Sequence, residues 1–172
     1  MYWMRGPAGV GKPTIAQTRA EKMTISGLHS SLHRNPLRLF TTIAYQVTTT
    51  LPDYRGAVED RIFKDNTIVE KKMSSQLKSL IVEPLQELRK QGKSIQPKAI
   101  FIDGLDECVG EDARAEIIKI VASSIREGST PFHWAIFSRA EPRIVSTFKQ
   151  DNIASVTHFI ELPISREADG EI

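Results

Sequence analysis

Residues 6–13 read Gly-Pro-Ala-Gly-Val-Gly-Lys-Pro and fit the phosphate-cradling pattern G-x-x-x-x-G-K-[ST] at every position but the last. Gly6, Gly9 and Gly11 allow positive φ and let the backbone lie close to a polyphosphate, with N–H groups turned inward. Pro7, Ala8 and Val10 complete the loop, and Lys12 brings a mobile positive charge to the β and γ phosphates. The pattern then asks for a Ser or Thr hydroxyl to bind magnesium. The chain has Pro13, which offers neither a hydroxyl nor a backbone N–H. Thr14 does not substitute, because one helical position further on its side chain points about 100° around the axis; it keeps a contact of its own to the α phosphate. Losing two charge-assisted contacts costs about 3–6 kcal/mol, on the order of a hundred- to ten-thousandfold in metal–nucleotide affinity. Pro13 also pushes Lys12 away from the α region, and a helical backbone there is what aims its amine.

A second set of chemical groups lies in Ala99-Ile100-Phe101-Ile102-Asp103-Gly104-Leu105-Asp106-Glu107. Four apolar residues in a row suit a strand buried on both faces of a parallel sheet. Asp103 then falls at the strand's C-terminal end, where open α/β sheets bind ligands, and is the candidate magnesium carboxylate. Asp106 and Glu107 are both candidates to orient or deprotonate an attacking water. Taken alone, the segment reads equally well as a strand followed by an acidic Asp-Gly turn. The glycine loop upstream favours the chemical reading.

These groups need elements to position them. Tyr2-Trp3-Met4 reads as a buried strand feeding the loop, and Thr14 to Lys22 as a helix whose positive end faces the anion. Asn35-Pro36 is a capped helix start, with the helix running to about Thr50. A second helix spans Tyr54 to about Lys64. Ser74 to Gln91 is helical with Leu77, Leu80, Ile81, Leu85 and Leu88 on one side, and Pro84 should kink or divide it. Lys98 to Asp103 is the acid strand. Asp112 to Arg126 is an amphipathic helix with Ile117, Ile120, Val121 and Ile125 inward, ended by Gly128. Phe132 to Phe137 is a strand, Arg143 to Lys149 a short helix, and Thr157 to Leu162 a last strand. Strand and helix alternate, as in an α/β fold with a mostly parallel sheet.

Four segments in order, the glycine loop, Asn35-Pro36-Leu37-Arg38-Leu39-Phe40, the acid strand and Ile136-Phe137-Ser138-Arg139-Ala140-Glu141-Pro142-Arg143, resemble the NACHT domains of STAND-class P-loop NTPases. The likeness is to the fungal, nephrocystin-like branch and runs from Tyr2 to about Pro163. It implies a three-layer α/β/α P-loop NTPase fold, with the glycine loop and acid strand as Walker A and Walker B motifs. It further implies a signalling switch that uses magnesium with ATP or GTP, and Arg139 as a sensor of the γ phosphate; the plain alternative for Arg139 is a solvated residue opening a loop. In the sheet order the resemblance implies, the sensor strand lies between the loop strand and the acid strand, and the second strand is an edge. Met23 to Arg34 is too short and polar for that second strand, so the edge is expected to be missing. Residues 1–172 read as one NACHT-type core truncated at both ends, from a parent that self-assembles when triphosphate binds.

Composition narrows the classes. A net charge of +2 with no Lys/Arg stripe gives no case for nucleic acid. No apolar run approaches the roughly 20 residues of a membrane helix, and Arg5 with the glycines interrupts any signal-peptide core. A lone Cys108 excludes an internal disulfide and fits a reducing, cytoplasmic setting. His29 and His33 share a face at helical spacing, but no Cys or third His joins them as metal ligands. Without an Asn-Lys-x-Asp box a small GTPase is disfavoured, and no acceptor site suggests a metabolite kinase. Two readings remain: a nucleotide-hydrolysing switch, and a non-hydrolysing interaction module that keeps the fold, which Pro13 favours.

Overall fold

The computed structural model describes residues 1–6, 28–31 and 35–162. Five parallel strands form one sheet in the order β2-β3-β4-β1-β5: β1 (Tyr2–Arg5), β2 (Leu28–Ser31), β3 (Lys98–Asp103), β4 (Phe132–Ser138) and β5 (His158–Glu161). β4 lies between the strand that leads to the glycine loop and the acid strand, as expected, with Trp3 opposite Ile136 and Ile100 opposite Trp134. All six positions of β3 are buried, so both of its faces are covered.

The edge strand expected to be missing is present. Leu28–Ser31 pairs with β3, Leu28 opposite Ile100 and Ser31 opposite Asp103. An edge strand is held by one ladder of main-chain groups, so the polar Ser30 and Ser31 do not forbid it. Its presence also relieves β3 of an open edge. His29 therefore sits in a strand, not on a helix.

Between β2 and β3 run α1 (Leu39–Thr50), α2 (Pro52–Lys64) and α3 (Met73–Gln76), then a π-helical segment (Leu77–Val82) and α4 (Glu83–Lys90). Asn35 accepts from the Leu37 N–H at 3.1 Å, and Pro36 opens a short 3-10 turn that leads into α1. Leu39, Phe40, Ile43, Ala44 and Val47 give α1 its buried face. Pro84 does not divide the helix, which is continuous from Met73 to Lys90. The helix widens into the π segment just before it, which accommodates a ring that would clash with the carbonyl four residues back.

After β3 come α5 (Glu111–Arg126), α6 (Pro142–Phe148) and α7 (Asp151–Ala154). Gly128, at φ +58°, ends α5 in the left-handed conformation. On α5 the buried residues are Ala115, Ile117, Ile118, Val121, Ala122 and Ser124; Ile120 and Ile125, both expected inward, are only partly buried. Trp3, Ile100, Ile102, Trp134 and Ile136 belong to the main core, together with the inner faces of α1 to α5. Phe101, Phe137, Ala99 and Ala135 form a smaller cluster of alternate residues on the same strands. No helix among the described residues is long and apolar enough to cross a membrane.

Candidate functional site

Because the strands are parallel, the segments leaving β1, β3 and β4 emerge at one edge of the sheet. Gly6 follows β1 and is buried, Asp103 closes β3 and is also buried, and Ser138 closes β4 directly opposite Arg5. Three of the residue groups singled out in the sequence thus share one edge. Pro7 to Thr14, including Lys12 and Pro13, lie outside the described residues.

Beyond Asp103 the chain turns on Gly104, at φ +71°, into a 3-10 turn over Leu105–Glu107. The positive φ is what favours glycine here, and Glu107 folds back over the strand end so that its Oε2 would meet a Cβ at Gly104 in ordinary contact, at 3.4 Å. Glu107 itself is exposed. Asp106 is different: its side chain is 6% exposed. Its Oδ1 accepts from the Arg139 backbone N–H at 2.9 Å, and its Oδ2 lies 3.3 Å from Arg139 Nε. The Arg139 side chain is 54% exposed.

Two residues that the sequence did not flag fasten this edge. Trp3 donates from Nε1 to the buried Ser138 Oγ at 2.9 Å, and its ring stacks on Phe148 with centroids 4.2 Å apart. Arg114, near the start of α5, donates from Nε to the Cys108 carbonyl at 2.7 Å and pairs with Glu141 at the head of α6. The acidic turn after β3 and the loop after β4 are therefore tied twice, through Asp106–Arg139 and through Arg114. A cation near the N-terminus of a helix is unfavourable to the helix dipole; that mismatch was the one sequence signal pointing to Arg114. Cys108 sits beneath this clamp, and burial pushes its thiol pKa up while the neighbouring Arg114 opposes the shift.

The donor set fits one kind of metal. Among the described residues no cluster of three or more His, Cys, Asp or Glu could hold an ion. Asp103 alone is compatible with magnesium, which takes one or two carboxylates and fills its remaining positions with phosphate oxygens and water. A groove of about 750 Å³ between the π segment with α4 and α5, lined by Lys78, Glu83, Lys119 and Glu127 among others, contains none of these site residues.

Residues 1–139 match the family described as nephrocystin 3, N-terminal. A comparison with curated protein sequences finds no significant match. Among solved structures, Cdc6p from Pyrobaculum aerophilum superposes with a TM-score of 0.54 at 13% identity, covering 94% of this chain and 39% of that one. A Signal Transduction ATPase with Numerous Domains (STAND) protein with a tetratricopeptide repeat sensor, from Pyrococcus horikoshii, gives 0.52 at 12% identity, with 94% and 20% covered. At that identity the likeness is one of fold, a P-loop ATPase fold. The chain spans less than two fifths of the length of either protein.

Proposed function

We propose that this chain, which belongs to the nephrocystin 3, N-terminal family, is the nucleotide-binding core of a NACHT-type signalling switch. It takes ATP or GTP, with weak or absent hydrolysis. The observation that carries the reading is the convergence of Gly6, Asp103 and Arg139 on one sheet edge, in the strand order that the resemblance implies. Loop amides and Lys12 hold the phosphates. Asp103 holds magnesium, which when bound offsets phosphate charge. Asp106 or Glu107 orients the water, and Arg139 meets the γ phosphate. The partner is a nucleoside triphosphate, not nucleic acid or a membrane. The setting is cytoplasmic, within a larger parent that self-assembles.

Pro13 supports the second reading, an interaction module that keeps the fold without metal chemistry. Titrating a fluorescent ATP analogue with and without magnesium, on the natural chain and on Pro13→Ser, separates the two. Weak binding in the natural chain, with the variant gaining magnesium-dependent affinity on the order of a hundredfold or more, supports the degenerate switch. Ordinary hydrolysis by the natural chain, or no gain in the variant, overturns this account of Pro13. No binding by either protein leaves the interaction module.

A further inference from the structure

We infer that Asp106 is the positioning residue of Arg139 and that the water-orienting role falls to Glu107. This rests on the nucleotide reading above and deepens it. The two acids are adjacent in sequence but differ in what they can do. Asp106 is almost wholly enclosed, and each carboxylate oxygen is turned to the same residue, Oδ1 to the Arg139 N–H and Oδ2 to its Nε. A group that orients water must present a lone pair to the reaction space, and these lone pairs face the arginine. Glu107 is exposed and folded back beside Gly104 at the end of the acid strand.

The contact also sets what Arg139 can do. Asp106 accepts from the backbone N–H and lies 3.3 Å from Nε, on the inner side of a guanidinium whose side chain is 54% exposed. The guanidinium is a rigid fork whose outer edge suits a phosphate bidentately. A carboxylate beside its inner nitrogen biases that edge outward. Arg114 supports the arrangement from behind, because it ties Cys108, two residues past Asp106, to Glu141, two residues past Arg139. The sensor is thus biased toward its aim before a ligand arrives, and less ordering of a long flexible side chain is left to the binding step.

The test compares Asp106→Asn, Asp106→Ala, Arg139→Ala, Glu107→Ala and the Asp106→Ala/Arg139→Ala double variant, each checked for folding by circular dichroism. Asparagine keeps an acceptor for the Arg139 N–H but loses the charge opposite Nε. In the free protein, amide exchange at Arg139 should accelerate about tenfold or more in Asp106→Ala and less in Asp106→Asn. With ATP and ADP as probes, Asp106→Ala should lose triphosphate preference to the level of Arg139→Ala, the double variant should lose no more, and Glu107→Ala should keep it. The assignment is overturned if Arg139 exchange is unchanged, if Asp106→Ala keeps a preference that Arg139→Ala loses, or if the two losses add. If the unmodified chain binds neither nucleotide, the nucleotide reading falls and takes the phosphate half of this inference with it. Exchange at Arg139 then still decides the positioning half.

Discussion

Tyr54 donates its hydroxyl to the Leu80 carbonyl at 2.5 Å, the oxygen whose α-helical partner would be the absent N–H of Pro84. The proline removes a donor in the middle of a buried helix, and a tyrosine 26 residues earlier replaces it from α2. Tyr54 is fully buried, so its hydroxyl needs a partner as much as the carbonyl does. Tyr54→Phe should therefore destabilise the fold by about 1–3 kcal/mol, measured by urea denaturation. In a Pro84→Ala background the helix regains its own donor and the cost should shrink. An equal cost in both backgrounds would mean that the hydroxyl does not compensate the proline.

Alkaline pH should weaken the fold. Burial pushes the pKa of both Tyr54 and Cys108 above their ordinary values. A group whose folded pKa is raised keeps its proton where the unfolded chain has lost it. Its contribution is complete below the unfolded pKa and fades as pH rises toward the folded one. Denaturation midpoints should fall from about pH 8.5 upward, where an unfolded cysteine begins to ionise. Replacing Cys108 by Ala should flatten the first part of that decline; an unchanged slope would assign it elsewhere.

Arg114 should matter more than an ordinary surface charge, because its side chain is 16% exposed and holds two segments at once. Arg114→Met should cost about 1–2 kcal/mol, the worth of a charge-assisted bond discounted for the more exposed Glu141. It should also open Cys108 to thiol reagents. Arg114→Lys should not restore protection, since an ammonium cannot reach a carbonyl and a carboxylate with a fixed fork. Labelling rates under native conditions give the answer, and a protected Cys108 in either variant would count against the clamp.

The acids at the strand end should separate by role. Asp103→Asn should weaken magnesium-dependent nucleotide binding more than binding without metal. Glu107→Gln should leave binding nearly intact and remove residual hydrolysis, because orienting water matters mainly in the transition state. Calorimetry with and without magnesium, paired with a phosphate-release assay, distinguishes them. Equal loss of binding in both variants would mean that the roles are misassigned.

The strand order was legible through the resemblance, which puts the sensor strand between the loop strand and the acid strand, and β4 does lie between β1 and β3. β2 was not legible, since Leu28–Ser31 joins the sheet through main-chain groups, and side-chain patterning carries no record of such a ladder. Pro84 announced a disturbance but not its form, because kink, break and π turn differ in what packs around them. The pairing of Asp106 with Arg139 spans 33 positions and depends on the turns after two different strands. No short motif encodes that. Ile118 is buried and Ile120 only partly so because the two lie about 200° apart around the helix axis, and the buried stripe of α5 is centred on the side of Ile118.

The Trp3 indole has a spectroscopic consequence. The chain contains two tryptophans; Trp134 Nε1 is buried without a hydrogen-bond partner among the described residues, whereas Trp3 Nε1 is bonded to the residue immediately before Arg139. Its ring also lies against Phe148 and beneath the Arg5 guanidinium. Indole emission shifts and quenches with hydrogen bonding and with nearby cations, so Trp3 is an intrinsic optical reporter wired to the loop after β4. In a chain whose only indole is Trp3, obtained by Trp134→Phe, light alone would follow any movement of that loop.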